Sequence, residues 1–418
     1  MKKETVIIVG AGIAGLVAAN DLANAFNIIL IEADERLGGR IHSCREKNFS
    51  TIIEAGSEFI HGKLKETLHL LKKAHIEYVP VGGNMYRKEK GRWNEQHDFI
   101  EGWNELLHRM KNVKSDMTMY DFLEQYYGQE DKADLRRHAI AFTEGFDVAD
   151  IKKVSVKFLY KEWSHEENVS FRIPRGYGAL IDYLAAECKK KDCRIITGEP
   201  VKQIDWENNS VTVYTASGKK YNSQKIVVTV PVSILQRALG KASINFTPPL
   251  DEYVNAARQT GYGTVIKILL QFKEALWKKG TGFIFSDEIF PTWWTQLPDT
   301  APLLTGWVGG SKAEVLSDET DEELLQKAFI SLANIFERPV NEIREKMQGA
   351  KVFNWQKNDW SLGAYSYSMP ETIAVRKLLN TPVSNTIFFT GEGLYDGSSP
   401  GTVEAAIVHA KETLTKLL

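Results

Sequence analysis

Three glycines in Gly10-Ala11-Gly12-Ile13-Ala14-Gly15 have the spacing of a turn that cradles phosphate. The first permits a tight turn, the second lets backbone amides approach a pyrophosphate, and the third lets helix and strand pack closely. The helix that follows brings partial positive charge to the phosphates, and Ile13 and Ala14 fall at its start. Glu32 lies twenty residues after Gly12, at the end of a second apolar run, with Ala33 beside it. A carboxylate there accepts both hydroxyls of a ribose. Arg36-Leu37-Gly38-Gly39-Arg40 adds paired glycines between guanidinium forks that match diphosphate oxygens. A solvated turn is the alternative for that pentapeptide; taken with the glycine turn, it favours FAD over NAD.

Lys267 interrupts Val265-Ile266-Lys267-Ile268-Leu269-Leu270, otherwise a buried strand. A lysine there is desolvated, which disfavours its charge, or held by a partner, or guards the edge of a sheet. Tyr365 sits in Trp360-Ser361-Leu362-Gly363-Ala364-Tyr365-Ser366-Tyr367, an aromatic cluster that read alone means core packing. His61 closes Glu54-Ala55-Gly56-Ser57-Glu58-Phe59-Ile60-His61, where a lone histidine is as readily structural as functional.

The elements that must position these groups read as follows. Thr5–Val9, a helix over Gly15–Ala25 and Asn27–Ile31 make one βαβ unit. Leu64–Ala74, Asp98–Lys111, Met119–Tyr127 and Asp131–Phe146 predict amphipathic helices. A helix at Leu180–Lys190 precedes strands at Arg194–Thr197, Val201–Asp205, Val211–Thr215 and Lys225–Val230. Thr264–Phe272, Leu303–Val308 and Ile387–Thr390 are further strands; Glu322–Phe336 and Val403–Leu417 are helices. No Gly/Ser linker divides the 418 residues, which favours domains built from separated segments.

Composition bounds the answer. With 43% hydrophobic and 25% charged residues the chain is ordinary globular protein. Its 52 basic and 54 acidic residues leave a net charge of −2, no footprint for nucleic acid or anionic lipid. Three cysteines (Cys44, Cys188, Cys193) lack zinc-site spacing and are too few for a disulfide framework, which points to a reducing, cytoplasmic setting. Met1-Lys2-Lys3 and the apolar stretch to Ala19 imitate a secretory leader, but three glycines and a second apolar run argue against one. No uninterrupted apolar run reaches membrane-spanning length, so no membrane partner is expected.

Taken together these motifs resemble the flavin-containing amine oxidase family of monoamine oxidases, polyamine oxidases and lysine demethylases. The glycine turn, the acidic strand end and Gly38-Gly39-Arg40 are its shared opening. Glu54–Gly62 looks like the segment beside the flavin ring, and Val227-Val228-Thr229-Val230-Pro231 like its strand-to-helix passage. Thr390-Gly391-Glu392 and Pro400-Gly401-Thr402-Val403-Glu404 look like its C-terminal flavin loop and helix. The resemblance implies an α/β fold with mixed α+β character: a discontinuous Rossmann-like FAD-binding domain (1–63, 178–260, 375–418) and a substrate domain of mixed sheet and helices (64–177, 261–374). It implies that Gly56, Ser57, Glu58, Phe59, Val201, Trp360, Tyr365, Gly391, Glu392, Gly401, Thr402 and Val403 join the N-terminal residues around FAD.

Lys267 matches the family's active-site lysine, which holds a water at flavin N5, and Tyr365 its aromatic wall. The activity so implied is oxidation of an amine C–N bond, with hydride passing to the flavin, hydrolysis of the imine, and O2 reduced to H2O2. Ala364 stands where the monoamine oxidase branch has a flavin-linking cysteine, so FAD is expected to be non-covalent. Thr402 stands where that branch has a second cage tyrosine, as in polyamine oxidases, the branch this chain is closer to. Phe59 occupies the place of an arginine that grips carboxylates in L-amino-acid oxidases, which disfavours amino acids. The length is expected to leave no room for the extra demethylase domains, and with the sequence running one helix past the flavin loop no monoamine oxidase membrane tail is expected. Glu58 is open between a second-ammonium site and the cofactor. Alternatives of similar architecture are carotenoid- or porphyrinogen-oxidising enzymes, a flavin isomerase, or a protein that binds FAD only as structure.

Overall fold

The computed structural model describes residues 3–96, 102–165, 169–237 and 239–418. Five strands form a wholly parallel sheet in the spatial order Arg194–Ile196, Asn27–Ile31, Thr5–Val9, Lys225–Val228, Ile387–Phe389. These are near-continuous Val/Ile/Leu/Phe runs, as a sheet covered on both faces requires. On one face lie the helices Ile13–Leu22, Gly178–Lys190 and Val403–Leu414, packed through Leu16, Leu180, Ile407 and their neighbours. Under the other lies a four-stranded sheet, Lys220–Ser223, Ser210–Thr215, Val201–Glu207, Asn245–Thr247. The run from 194 to 230, read as one strand-rich block, is therefore shared between two sheets. Its last strand stops at Val228 because the chain turns through Thr229 to Pro231, which caps the short helix Val232–Leu235.

A seven-stranded sheet builds the rest, in the order Met347–Asn354, Val265–Phe272, Leu303–Gly309, Thr292–Trp294, Thr281–Ser286, Asn84–Glu89, Arg92–Gln96. All its pairings are antiparallel except Thr281–Ser286 with Asn84–Glu89. Val265–Phe272 has strands on both sides and every residue buried, so the edge-guard reading of Lys267 fails. Alternation sends Ile266, Ile268, Leu270 and Phe272 to one face, against the capped helix Asp321–Phe336. Val265, Lys267, Leu269 and Gln271 take the opposite face.

The predicted helices at 64–74, 119–127 and 131–146 appear as Lys65–Lys73, Met119–Tyr127 and Ala133–Gly145, and the expected helix over 98–111 is found at Trp103–Lys111, residues 98–101 lying outside the described set. Val156–Trp163 joins the helices Trp103–Lys111, Met119–Tyr127 and Ala133–Gly145 in one cluster around Phe122, Leu159 and Trp163, whereas Lys65–Lys73 packs Leu70 and Leu71 into the core over the parallel sheet. Among the described residues no helix is long and apolar enough to cross a membrane.

Candidate active site

All five parallel strands end on the same side, and the loops leaving them meet there. That is where ligands sit in open α/β sheets. The cleft is lined by Gly10, Gly12, Ile13 and Ala14 after the first strand, and by Glu32, Ala33, Arg36, Gly38, Gly39 and Arg40 after the second. Val201, Trp360, Gly391 and Glu392 also line it. Gly15 does not: a Cβ there would lie 1.9 Å from the Gly10 carbonyl oxygen, so this glycine serves helix–strand packing. By contrast a Cβ on Gly12 would meet nothing nearer than the Gly38 oxygen at 4.0 Å, and one on Gly391 nothing nearer than Thr229 O at 4.0 Å. These two glycines open the cleft rather than tighten the protein.

Glu32 is buried and accepts hydrogen bonds from the amides of Ala11 (2.5 Å) and Asp34 (2.9 Å); burial raises its carboxyl above the ordinary range despite them. Arg36 turns back on its own loop, donating to the carbonyls of Gly39 (2.7 Å) and Ile41 (3.2 Å) beside Asp34. Arg40 reaches across the chain to Glu392 (2.6 Å) and the Ala364 carbonyl (2.8 Å). Glu392 is fixed from its other side by Ser366 Oγ at 2.7 Å. Thr402 caps the helix Val403–Leu414, accepting from Ala405 N at 3.1 Å.

The cleft opens into a chamber of about 1510 Å³, and Arg40, Ser57, Tyr365, Gly401, Thr402 and Val403 line both. Gly56, Glu58, Phe59, His61 and Lys267 belong to the chamber alone. Its walls are aromatic: Phe59 lies edge-on to Trp294 at 5.5 Å, and Trp294 is 5.9 Å from Trp307. Tyr365 donates its hydroxyl to the Phe146 carbonyl; burial, with Asp147 and Glu162 nearby, keeps its phenol well above the usual range, so it stays neutral. His61 packs between Phe59 and Phe146 and touches Ser170 Oγ at 3.2 Å; burial lowers its imidazole to about 4.

Lys267 is 1% exposed, and its Nζ donates to Glu58 Oε2 at 2.7 Å and to the Gly56 carbonyl at 3.2 Å. Of the alternatives that the sequence allows, the partner is the one realised. Burial pushes the Glu58 carboxyl up, but Lys267 and Arg172 hold it below the ordinary range. Both oxygens of Glu58 are taken, Oε1 by Arg172 Nη2 (2.7 Å) and Trp294 Nε1 (2.9 Å). Sequence reasoning missed Arg172 and Trp294; Thr229, whose hydroxyl donates to the Gly10 carbonyl at 2.9 Å, figures there only within the strand-to-helix passage. A signal existed for Arg172: like Lys267, it is a cation inside an apolar run, Phe171-Arg172-Ile173.

Three imidazoles near the site share one fate. Burial lowers His42, His61 and His409 from 6.5 to about 4, Arg36 adding to the effect on His42 and Lys416 and Arg376 to that on His409. His409 underpins the loop at the end of the strand Ile387–Phe389 through Thr390 Oγ1 and Asn380, each at 2.8 Å. Burial raises Glu54 the other way, from 4.5 to about 7. Between 4.5 and 6.5 the unfolded chain therefore binds three protons at these histidines against one that the folded chain keeps on Glu54, a difference of 3 − 1 = 2. Stability rises with pH where the unfolded state binds more protons. These rings are therefore expected to lower the melting temperature on acidification through this window, which calorimetry reads. A flat profile would contradict the burial of these rings.

The model of the family described as flavin containing amine oxidoreductase matches residues 13–414. The chain belongs to that family. The flavin amine oxidoreductase chain is 24% identical to lysine-specific histone demethylase 2 of Homo sapiens over 462 residues, covering 99% of this chain and 53% of the demethylase. It thus spans about half the length of that relative. Polyamine oxidase 2 of Arabidopsis thaliana is 25% identical over 445 residues, covering 97% of this chain and 86% of that protein. In fold, the flavin amine oxidoreductase superposes on cyclohexylamine oxidase from Brevibacterium oxydans with a TM-score of 0.82 at 20% identity, covering 99% of each chain. A putrescine oxidase bound to putrescine gives 0.83 at 19% identity, covering 99% of this chain and 98% of that one.

Proposed function

We propose that the protein is an FAD-dependent oxidase of a small-molecule amine. One observation carries the reading: a glycine-lined cleft at the strand ends of the parallel sheet opens into an aromatic chamber with a buried lysine in its wall. The residues fit a flavin dinucleotide, because the space left by Gly12 and Gly391 is what a phosphate and its backbone donors need, and Glu32 in the same cleft would take the ribose. Gly10 to Ala14, Gly38, Gly39 and the Thr402 helix terminus would hold the phosphates and ring edge, while Arg36 and Arg40 brace the loops. Cys44, Cys188 and Cys193 line neither cavity, and Ala364 stands at the junction, which supports non-covalent attachment. The three free thiols support a cytoplasmic setting. We assign 1–63, 178–260 and 375–418 to the cofactor domain and 64–177 and 261–374 to the substrate domain; the parallel and four-stranded sheets come from the first set and the seven-stranded sheet from the second.

When bound, the flavin supplies the hydride acceptor for C–N oxidation and the electrons that reduce O2 to H2O2. The chain's part is to select, orient and dry the amine. Tyr365, neutral and held by the Phe146 carbonyl, turns its ring to the chamber, where it orients a nitrogen lone pair. Lys267 presents an N–H to the chamber. His61, uncharged above about pH 4, is no proton donor in the working range.

The chamber's reactive end therefore asks for an amine that has already lost its proton. The rate of flavin reduction is expected to rise between about pH 6 and 9, following the amine. Stopped-flow measurement under anaerobic conditions reads this directly, and a level profile would count against it. The decisive experiment is an anaerobic panel of polyamines, acetylated polyamines, aromatic monoamines and amino acids. Bleaching by one of these classes identifies the substrate; a flavin that none of them reduces overturns the reading.

A further inference from the structure

We propose that Arg172 and Glu58 form a positioning pair that acts through Lys267, fixing which way its ammonium group points into the chamber. The proposal rests on the amine oxidase reading above, and it concerns a residue that never meets the substrate. Arg172 is buried and absent from the chamber wall. It is anchored by Gln296 Oε1 at 3.0 Å and the Thr295 carbonyl at 3.3 Å, with its guanidinium 5.2 Å from the Phe59 ring. From there it holds Glu58 Oε1, leaving Oε2 for Lys267.

The topology makes this arrangement specific. Phe59, next to Glu58, pairs directly with Arg172 across two short strands, Phe59–His61 and Ser170–Arg172. Lys267 comes from the second strand of the seven-stranded sheet, with a neighbour on each side, 209 residues from Glu58. Two cations and one anion are buried together, each less than 10% exposed. Removing one partner of such a cluster leaves charge without compensation, so each member constrains the others. An ammonium has three N–H bonds. Glu58 and Gly56 take two, and the third is the one left for the chamber. The Trp294 ring, 5.4 Å from Nζ, closes another side. The direction of the third N–H is thus set by a carboxylate that Arg172 and Trp294 hold still.

The test is a pair of double-mutant cycles with two readouts. Glu58→Gln and Arg172→Gln are each made in the native chain and in Lys267→Met. In the native background each is expected to lower the rate constant of amine-driven flavin bleaching by about tenfold or more, with half-saturating amine changed by less than about twofold. In Lys267→Met neither should lower it by more than about twofold further, because the residue through which they act is gone. The second readout needs neither cofactor nor turnover. Acetic anhydride labelling of Lys267 in the flavin-free protein, mapped by mass spectrometry, should rise several-fold in both variants while other lysines keep their native extents. Losses that persist undiminished in Lys267→Met, or unchanged labelling of Lys267, overturn the proposal. Should Glu58→Gln fail to fold, Arg172→Gln carries the test, since glutamine keeps a donor for the carboxylate. If no amine bleaches the native flavin, the functional reading fails by itself, and the labelling decides the positioning role alone.

Discussion

Replacing Lys267 with methionine is expected to slow amine-driven flavin reduction by about a hundredfold while the protein remains folded and yellow. The size follows from what the side chain does. Its Nζ is the polar atom that the interior strand Val265–Phe272 sends to the chamber, and it is held there by Glu58 and Gly56. Methionine fills the same volume with no donor. Survival of the fold follows from Glu58, which keeps Arg172 at 2.7 Å and Trp294 at 2.9 Å when the lysine is gone. The two hydrogen bonds of Nζ are lost, at most about 1.5–3 kcal/mol each, and the relief of no longer burying an ammonium offsets part of that cost. Stopped-flow reduction, oxygen reoxidation and a melting curve on one preparation make the measurement. If both half-reactions kept native rates, Lys267 would have no part in the chemistry.

Gly12→Val is expected to give a folded but colourless protein, with flavin affinity reduced by at least about a hundredfold, or about 2.8 kcal/mol. The new side chain would project into open space, its Cβ 4.0 Å from the nearest protein atom, so folding costs little. That space is the one proposed to take the phosphates. Gly15→Val is the contrasting substitution. There the Cβ would sit 1.9 Å from the Gly10 oxygen and 3.0 Å from Thr229 Oγ1, so the helix Ile13–Leu22 must leave its strand and the melting temperature drops. Titration with FAD and calorimetry of the flavin-free forms separate the two. A yellow Gly12→Val protein would place the cofactor elsewhere.

The half of the molecule built on the parallel sheet was legible because each of its strands writes its own signal. Thr5–Val9, Asn27–Ile31 and Ile387–Phe389 are short apolar runs that end in turn residues, and their boundaries moved by at most a residue. The seven-stranded sheet yielded only Val265–Phe272 and Leu303–Gly309 in advance. Asn84–Glu89 and Arg92–Gln96 are a polar, half-exposed hairpin, and Met347–Asn354 mixes a glycine with polar residues. Thr281–Ser286 and Thr292–Trp294 are defined by long-range pairing, which one-dimensional periodicity does not record.

The candidate site divides in the same way. Residues whose spacing is local, such as Gly10 to Gly15 with Glu32, announce themselves. Glu58 could not be assigned from sequence because its three partners lie 114, 209 and 236 positions away. The aromatic segment around Tyr365 showed its composition but not that its hydroxyl would be committed to Phe146.

The spatial order of the parallel sheet bears on how the protein is made. Its rims are supplied by residues 10, 32, 229 and 391, so a chain emerging from a ribosome owns no complete nucleotide groove until its last strand, Ile387–Phe389, has docked beside Lys225–Val228. A ligand that recognises only the finished groove stabilises only finished molecules. With the proposed flavin as that ligand, vitamin supply would favour the survival of finished molecules after synthesis, independently of how fast each copy turns over.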